Sequence, residues 1–344
     1  MRIAHYDIYQ GVRKAKTRLA IALSTSGLLL GGGGLSLVLN GAAHAESFNI
    51  DFESYNTAAS INGQDGWVFT GPYDAAFDSS GGTTGFGSQS LRISNASTSG
   101  SFGDWVFSKS LTNEAGETAA QNGGLSGGSR QPHFEASWDF ASATPEAEQS
   151  GLQVSTAPDR GDGARMSFVK MYDTPTGLAI DFADYQSGVN EVGCTLGTNF
   201  ITTTIATALD RTIPHNIKVS MNFIDGVNND VVKVYVDGVL THTGTSWEGY
   251  FNECESNPTR TVDSMIFQAR SGGGTAPGTL GSGFLIDNLS LLSGPIPPVL
   301  VGPPSTKDAC KKDGWKTFNN PSFKNQGDCV SYVATGGRNP GSGN

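Results

Sequence analysis

Apolar and polar residues alternate most regularly over residues 216–244. Within residues 217–223 every second side chain is apolar, and the same pattern resumes after the polar turn at residues 225–230. Because side chains alternate faces along a strand, each run predicts one apolar face turned inward and one polar face turned outward. Asp237 and Gly238 then predict a two-residue type I′ turn into a third strand. The segment is therefore predicted to be a three-stranded antiparallel meander.

Short segments with similar alternation recur along the chain, about a dozen in all. They include residues 48–54, 133–141, 165–172, 177–185 and 283–291. No helix is predicted before residue 293. This pattern predicts an all-β fold, a two-sheet antiparallel β-sandwich or jelly roll. The roughly 250 residues before the proline-rich segment are enough for one such domain.

The first 45 residues have the pattern of an export signal. A basic segment, residues 13–18, precedes an apolar run at residues 19–39, and residues 43–45 read Ala-His-Ala, a small-residue cleavage pattern. The alternative is a retained transmembrane anchor, because the run reaches the roughly 20 residues that span a bilayer. The glycines inside the run favour cleavage, so residues 1–45 are predicted to be a signal peptide and the protein to be secreted or at the cell surface.

Removal of the signal changes the charge balance. The remaining chain carries 17 Lys and Arg against 31 Asp and Glu, a net charge of −14. A protein this acidic is not expected to bind nucleic acid or anionic lipid through its overall charge. The predicted partners therefore exclude nucleic acid and, after signal cleavage, membranes.

All four cysteines, Cys194, Cys254, Cys310 and Cys329, lie in the predicted mature chain. An even count in an exported chain predicts disulfides, and three pairings are possible. Cys194–Cys254 and Cys310–Cys329 are preferred because a linker separates the two pairs. The chain has no Cys-x-x-Cys spacing, which argues against zinc binding or thioredoxin-like chemistry.

A proline-rich linker at residues 294–306 precedes a distinct tail, residues 307–344. The tail carries six Lys or Arg and three Asp, so it is basic on an otherwise acidic protein. Asn325 is predicted to cap one short helix that ends before Gly336. Because so few residues cannot hold a proper core, a disulfide within the tail is expected to hold it together.

Several motifs together resemble a known superfamily. They are Asp51-Phe-Glu53 with Gly66-Trp67, residues 163–168, Val236-Asp-Gly238, residues 245–250 and the closing residues 284–289. On these motifs, residues 46–293 resemble secreted bacterial domains of the concanavalin A-like lectin/glucanase superfamily, including LamG-like jelly rolls. The superfamily includes lectins, carbohydrate-binding modules, glycoside hydrolases and polysaccharide lyases, so fold alone does not choose among them. The tail is similar to a short C-terminal motif on many exported bacterial proteins.

The sequence lacks clear catalytic motifs for polysaccharide cleavage. Glycoside hydrolysis needs two carboxylates roughly 5–10 Å apart, and the Glu-x-Asp-x-x-Glu motif common in hydrolases of the superfamily is absent. Glu135 and Asp139 share a strand face but lie roughly 13 Å apart, although pairing with Asp181 across strands would bring carboxylates closer. Lyase chemistry of this fold needs an activated Tyr or His with an Arg or Gln to neutralise a uronate, and the predicted mature chain has only three histidines, His133, His215 and His242. No catalytic residue is assigned.

Sugar binding needs an aromatic platform with planar polar groups beside it. Trp247 and Tyr250, which have glycines nearby, are predicted to be an exposed aromatic pair, whereas Trp138 alternates with core residues and is predicted to be core. The polar candidates fall on the polar faces of their strands and are predicted to line a concave surface; they are Glu135, Asp139, Gln153 and Asp181.

The resemblance also implies a structural calcium between the first and last strands. Glu53 and Asp287 are the predicted ligands, with Asp51 as an alternative, because hard oxygen ligands suit calcium. The other interpretation is that these are ordinary carboxylates at a strand edge. The turn from Asp225 to Asp230 is also rich in oxygen atoms, but it lacks a calcium-loop spacing and is interpreted as a turn.

Together these features predict a secreted or cell-surface β-sandwich that binds carbohydrate without catalysis. Two alternatives remain open. One is a polysaccharide-degrading hydrolase or lyase of the same fold, and the other is a structural or adhesion protein of the extracellular matrix. The expected partner is a polysaccharide or cell-surface glycan, and the tail is expected to attach to the cell envelope or to another protein.

Overall fold

The computed structural model describes residues 45–98, 105–118, 120, 128–190, 199–255, 260–268 and 274–339. Residues 1–44 and Cys194 lie outside these ranges. The signal peptide and the Cys194–Cys254 disulfide therefore stay predictions. Within the described ranges, no helix has the length and apolar character needed to span a bilayer.

Strands dominate the described residues. They are β1 (Glu46–Ile50), β2 (Val68–Thr70), β3 (Asp74–Ser79), β4 (Gln89–Ser94), β5 (Trp105–Phe107), β6 (Glu114–Gly116), β7 (Arg130–Gln131), β8 (His133–Ser142), β9 (Gln153–Asp159), β10 (Phe168–Thr174), β11 (Gly177–Tyr185), β12 (Phe200–Leu209), β13 (His215–Asn222), β14 (Val231–Val236), β15 (Val239–Gly244), β16 (Thr261–Val262), β17 (Ser264–Gln268) and β18 (Phe284–Gly294). Two α-helices join them, α1 (Glu248–Cys254) and α2 (Gln326–Ala334).

Two large antiparallel sheets form a sandwich. The eight-stranded sheet has the order β15-β14-β13-β8-β18-β4-β3, with β1 also paired to β18. The seven-stranded sheet has the order β12-β11-β10-β9-β17-β5-β2. A small third sheet joins β16, β6 and β7. The predicted all-β, two-sheet antiparallel fold is confirmed.

The core lies between the two sheets. Trp138 and Phe140 of β8 and Phe284 of β18 are fully buried from one side, and Ile180 and Phe182 of β11 are fully buried from the other. These residues occupy every second position of their strands, so the alternation in the sequence is what brings the sheets together. The prediction that Trp138 is a core residue is confirmed.

The predicted meander is confirmed as β13, β14 and β15, each antiparallel to the next. Its two-residue turn puts Asp237 at a φ of 50° and Gly238 at a φ of 77°. Positive φ at both central positions is the type I′ geometry, whose twist matches that of the flanking strands.

The prediction of no helix before residue 293 is wrong, because α1 forms after β15. Its N-cap is Trp247, which makes no side-chain capping bond, and the helix has only seven residues. The segment Thr245-Ser-Trp-Glu248 has the Ser/Thr-x-x-Glu capping pattern, and the Ser246 hydroxyl accepts a 3.0 Å hydrogen bond from the Glu248 N–H. No long periodic run marks the helix in the sequence, however. Tertiary packing explains it instead, since Phe251 is buried in the core between the sheets.

The tail has the predicted form. Cys310 and Cys329 are joined by a disulfide. The Asn325 side chain accepts a 2.9 Å hydrogen bond from the Asp328 N–H at the start of α2. Cys310, Cys329 and Phe323 form a small buried cluster, so the disulfide lies at the centre of the few apolar contacts that a tail of this size can make.

We expect Trp138→Ala to lower the free energy of unfolding by about 3–5 kcal/mol, because it leaves a cavity between the sheets. Val239→Ala is the matched control, since Val239 is 65% exposed and its loss should cost less than about 0.5 kcal/mol. Urea denaturation of both variants measures the difference. Equal effects for the two variants would contradict the assigned core.

Candidate functional site

The outer surface of the seven-stranded sheet brings together residues from four neighbouring strands. We call the outward-facing side chains of β9, β10, β11 and β12 the seven-stranded face. The hairpin between β10 and β11 sets Lys170 opposite Asp181, and β9 sets Gln153 opposite Tyr172. On β12, Thr204 lies opposite Asp181. These pairings place five polar or aromatic side chains side by side.

A hydrogen-bonded network centres on Asp181. Lys170 Nζ lies 2.6 Å from Asp181 Oδ2. The Tyr172 hydroxyl donates to Asp181 Oδ1 over 3.0 Å, and the Thr204 hydroxyl donates to the same oxygen over 2.8 Å. The Lys170 ammonium also lies 4.6 Å from the centre of the Tyr172 ring. Asp181 is buried, so it anchors the three more exposed side chains through their hydrogen bonds and the ion pair.

This network is poorly suited to proton abstraction. Burial raises the pKa of Tyr172 above its ordinary value, so its hydroxyl keeps its proton at neutral pH and is a poor base. Asp181 is already paired with a cation. The other outward carboxylate on these described strands is that of Asp159 on β9. Ser155 of the same strand pairs with Lys170, and Asp159 lies four residues, or about 13 Å, from Ser155 along β9.

Aromatic rings pack at one end of the same face. The Trp247 ring centre lies 4.7 Å from that of Phe200 and 6.4 Å from that of Phe168, and the Tyr250 ring centre lies 5.1 Å from that of Phe200. Trp247 Nε1 donates a 3.0 Å hydrogen bond to the Ala183 carbonyl. Trp247 and Tyr250 are half-buried, so the predicted exposed pair is instead part of a packed aromatic cluster with its outer edges accessible.

The four predicted polar residues do not share one face. Gln153 and Asp181 belong to the seven-stranded face, whereas Glu135 and Asp139 belong to β8 of the other sheet. Glu135 lies 3.5 Å from Lys218 on the outer side of that sheet. Asp139 accepts hydrogen bonds from two neighbouring asparagines, at 2.7 and 2.8 Å. The two pairs therefore lie on opposite sides of the sandwich.

Glu53 and Asp287, the predicted calcium ligands, converge on the loop that contains Gly87. The Gly87 N–H donates to Asp287 Oδ2 over 3.3 Å. Glu53 accepts hydrogen bonds from the Ser88 hydroxyl and, over 2.9 Å, from the Gln89 N–H, and these bonds lower the pKa of Glu53. Burial, with the nearby Glu53 charge, raises the pKa of Asp287 to about 6. Protein donors thus already satisfy much of Glu53.

A second acidic group was missed by the sequence analysis. Glu117, Asp230 and Glu248 are all buried, and one carboxylate oxygen from each lies within 4.8 Å of the others. Asp230 closes the loop that was interpreted as a turn. We call these three residues the acidic cluster. No Lys, Arg or His among the described residues forms an ion pair with any of the three.

Electrostatic strain follows from this arrangement. Burial raises the pKa of Glu248, and the charges of Asp230 and Glu117 raise it further. Burial is also the main cause of the raised pKa of Asp230, which reaches about 6. Three crowded carboxylates without a counter-charge must take up protons or a cation. Their oxygens are the donors that calcium and magnesium prefer, so the acidic cluster can hold a metal ion.

Stability should fall as pH rises, because the folded protein keeps a proton on Glu248 that the unfolded chain loses above a pKa of 4.5. Between about pH 5 and pH 8 we expect the free energy of unfolding to drop by at least 1.4 kcal/mol, the equivalent of about one pKa unit. Added calcium should restore stability at the higher pH, where it replaces the proton.

Glu248→Gln should remove most of the pH dependence above about pH 6.5, because Asp230 and Asp287, whose pKa values are raised to about 6, titrate mainly below that pH. It should also remove most of the calcium effect. The matched control is Glu146→Gln, which changes an exposed carboxylate elsewhere and should leave both unchanged. Thermal unfolding over the pH range, with and without calcium, measures the four cases. A slope that is the same in wild type and Glu248→Gln would count against the assigned protonation.

Comparison with known proteins assigns no family to the chain. No protein-family model and no curated protein sequence matches the chain. Among solved structures, an alginate lyase in complex with alginate trisaccharide is 12% identical, with a TM-score of 0.45 over 71% of this chain and 97% of that one. An endo-1,3-beta-glucanase from Streptomyces sioyaensis is 15% identical, with a TM-score of 0.38 over 73% of this chain and 97% of that one.

A potassium-bound carbohydrate recognition domain is 11% identical, with a TM-score of 0.33 over 72% of this chain and 99% of that one. Similarities this low carry no argument about ligand or reaction. The fold itself rests on the two antiparallel sheets described above. These sheets form the two-sheet antiparallel β-sandwich that the sequence predicted.

Proposed function

We propose that the protein binds a glycan on the seven-stranded face and does not cleave it. The observation that carries this proposal is the network in which Lys170, Tyr172 and Thr204 all hold Asp181. Such a network supplies fixed donors and acceptors for sugar hydroxyls. The half-buried aromatic cluster at the end of the same face supplies apolar surface for the C–H groups of a sugar ring.

Binding is favoured over cleavage by the state of the ionisable groups. Lyase chemistry needs a base, and Tyr172 has a raised pKa. Hydrolysis needs a second carboxylate within roughly 5–10 Å, and the nearest outward carboxylate on the described strands of this face is about 13 Å along β9. Polysaccharide cleavage therefore stands as the alternative function, to be separated by assay.

We propose calcium as the ion of the acidic cluster. The cluster offers three buried carboxylates that have no cationic partner among the described residues, whereas Glu53 of the other pair is exposed. Calcium would bind through oxygens of Glu117, Asp230 and Glu248. Bound there, the ion would fix the loop before β14 to the start of α1, because Asp230 and Glu248 belong to these two elements.

We also propose that the protein works outside the cytoplasm. The Cys310–Cys329 disulfide is consistent with an oxidising compartment. In this proposal the first 45 residues direct export and the basic tail attaches the protein to the cell envelope or to another protein. The tail's exposed lysines, including Lys311, Lys312 and Lys316, supply the charge for that contact.

Lys170→Met should weaken glycan binding about tenfold or more, equivalent to about 1.4 kcal/mol, because it removes both the ammonium donor and the partner of Asp181. Lys233→Met is the matched control, since Lys233 lies on β14 of the other sheet. A glycan array with neutral and uronate-containing oligosaccharides identifies the ligand, and titration calorimetry compares the variants.

Reducing-end release and unsaturated-product formation are measured on the same glycans. We expect neither. Turnover that disappears in Lys170→Met or Tyr172→Phe would establish the cleavage alternative. Wild-type binding that both lysine variants retain in full would place the glycan elsewhere on the protein.

A further inference from the structure

A separate cavity opens on the other side of the sandwich. It has a volume of about 380 Å³ and is lined by Arg92 of β4, Leu285 of β18, the loop after β3, the loop after β8 and the loop before β13. Arg92 and Leu285 alternate with core residues of their strands, so both face outward from the eight-stranded sheet. The volume is within the range of small-molecule sites, about 300–1,000 Å³.

Arg92 is fixed in this cavity by two carboxylates, of which Asp74 is buried. Its Nη1 lies 2.9 Å from Asp74 Oδ1, and its Nε lies 3.3 Å from Asp78 Oδ2. Asp74 is held in turn by the Ser94 hydroxyl, which donates over 2.6 Å. The guanidinium is therefore oriented before any ligand arrives, which lowers the entropic cost of using it for binding.

Arg211, which also lines the cavity, is fixed in the same manner. Its Nη2 and Nε lie 2.8 and 3.0 Å from Asp173 Oδ1, and Nη2 also donates to the Thr174 carbonyl. The Asp173 side chain is fully buried. Both arginines thus have a rigid anchor beneath the cavity.

Each arginine keeps one terminal nitrogen for a ligand. Among the described residues, none accepts a hydrogen bond from Arg92 Nη2 or from Arg211 Nη1. Neither nitrogen is sealed from solvent. Two oriented donor groups in one cavity are a typical arrangement for binding oxygen atoms.

The charge balance identifies the kind of oxygen. The two arginines are held by three carboxylates, Asp74, Asp78 and Asp173, so the cavity has no net positive charge to attract an anion. The Asp78 side chain is 53% exposed and offers acceptor oxygens beside the donors. Uncharged hydroxyl groups, which donate and accept, match this mixture better than a carboxylate or phosphate does. Leu285 and Pro145 add apolar surface for C–H groups.

We propose that this cavity, the Arg92–Arg211 pocket, binds one uncharged sugar residue. It lies on the opposite side of the sandwich from the seven-stranded face. The pocket proposal does not depend on the proposed glycan site, because the two sites share no residues. If both sites bind, one molecule holds two separate glycan segments.

The test uses the full-length protein and four uncharged monosaccharides, glucose, galactose, mannose and N-acetylglucosamine, with glucuronate as the charged comparison. Nuclear magnetic resonance titration follows the Nε–H signals of Arg92 and Arg211 and the amide signals of Thr84 and Thr212. We expect saturable shifts of these signals with at least one uncharged sugar. No shift with any of the four sugars, or tighter binding of glucuronate than of glucose, would overturn the proposal.

Two variants change the pocket in different ways. Thr84→Trp places a large side chain at the cavity wall, where Thr84 is exposed, and should abolish the shifts. Arg211→Lys keeps a cation for Asp173 but lacks Nη1, and should weaken binding about tenfold. Val239→Trp, at an exposed position outside the pocket, is the matched control. Unfolding temperatures near that of wild type show that each variant is folded.

Lys170→Met separates this proposal from the glycan site on the seven-stranded face. We expect it to leave the monosaccharide shifts at Arg92 and Arg211 unchanged. Shifts that disappear in Lys170→Met but persist in Thr84→Trp would show a single site on the seven-stranded face and overturn the pocket. If Lys170→Met binds every glycan as wild type does and the monosaccharide shifts persist, the pocket is supported and the proposed site on the seven-stranded face is contradicted.

Discussion

Alternation of apolar side chains between two sheets is the constraint on which the structure depends. Trp138 and Phe284 can be fully buried only because the same strands turn their other residues outward. Each sheet therefore has an inner face that packs in the core and an outer face, and the two outer faces point in opposite directions. Every strand side chain that can contact a ligand therefore lies on one of these two outer faces.

Local signals predicted the parts of the fold that short stretches determine. The turn at Asp237 and Gly238 fixes a hairpin through backbone conformations that few residue pairs adopt readily, and Asn325 caps α2 through a contact three residues away. The helix α1 was not predicted because its seven residues are too few for a periodic pattern and its stability comes from burial of Phe251. The acidic cluster was also not predicted, because Glu117 and Asp230 are far apart in sequence and no spacing motif links them.

The candidate site shows where sequence reasoning stops. Asp139 and Asp181 both stand at polar positions of alternating strands, and nothing local tells which sheet each strand enters. Sheet membership is decided by long-range pairing, and it puts them on opposite surfaces. A usable signal did exist for Lys170. The tight turn between Thr174 and Gly177 sets the register of β10 against β11, and counting back from it pairs Lys170 with Asp181.

Opposed surfaces also affect how the protein would act on a polymer. Because a glycan chain lying along the seven-stranded face runs on one side of the core, the same stretch of chain cannot enter the Arg92–Arg211 pocket on the other side. Two occupied sites would then hold separate chains, or distant parts of one chain, and each binding event would raise the effective concentration for the next. That behaviour suits a protein that links polysaccharides together. An enzyme gains most from sites aligned along one groove, so occupancy of both opposed faces would favour the binding function over cleavage.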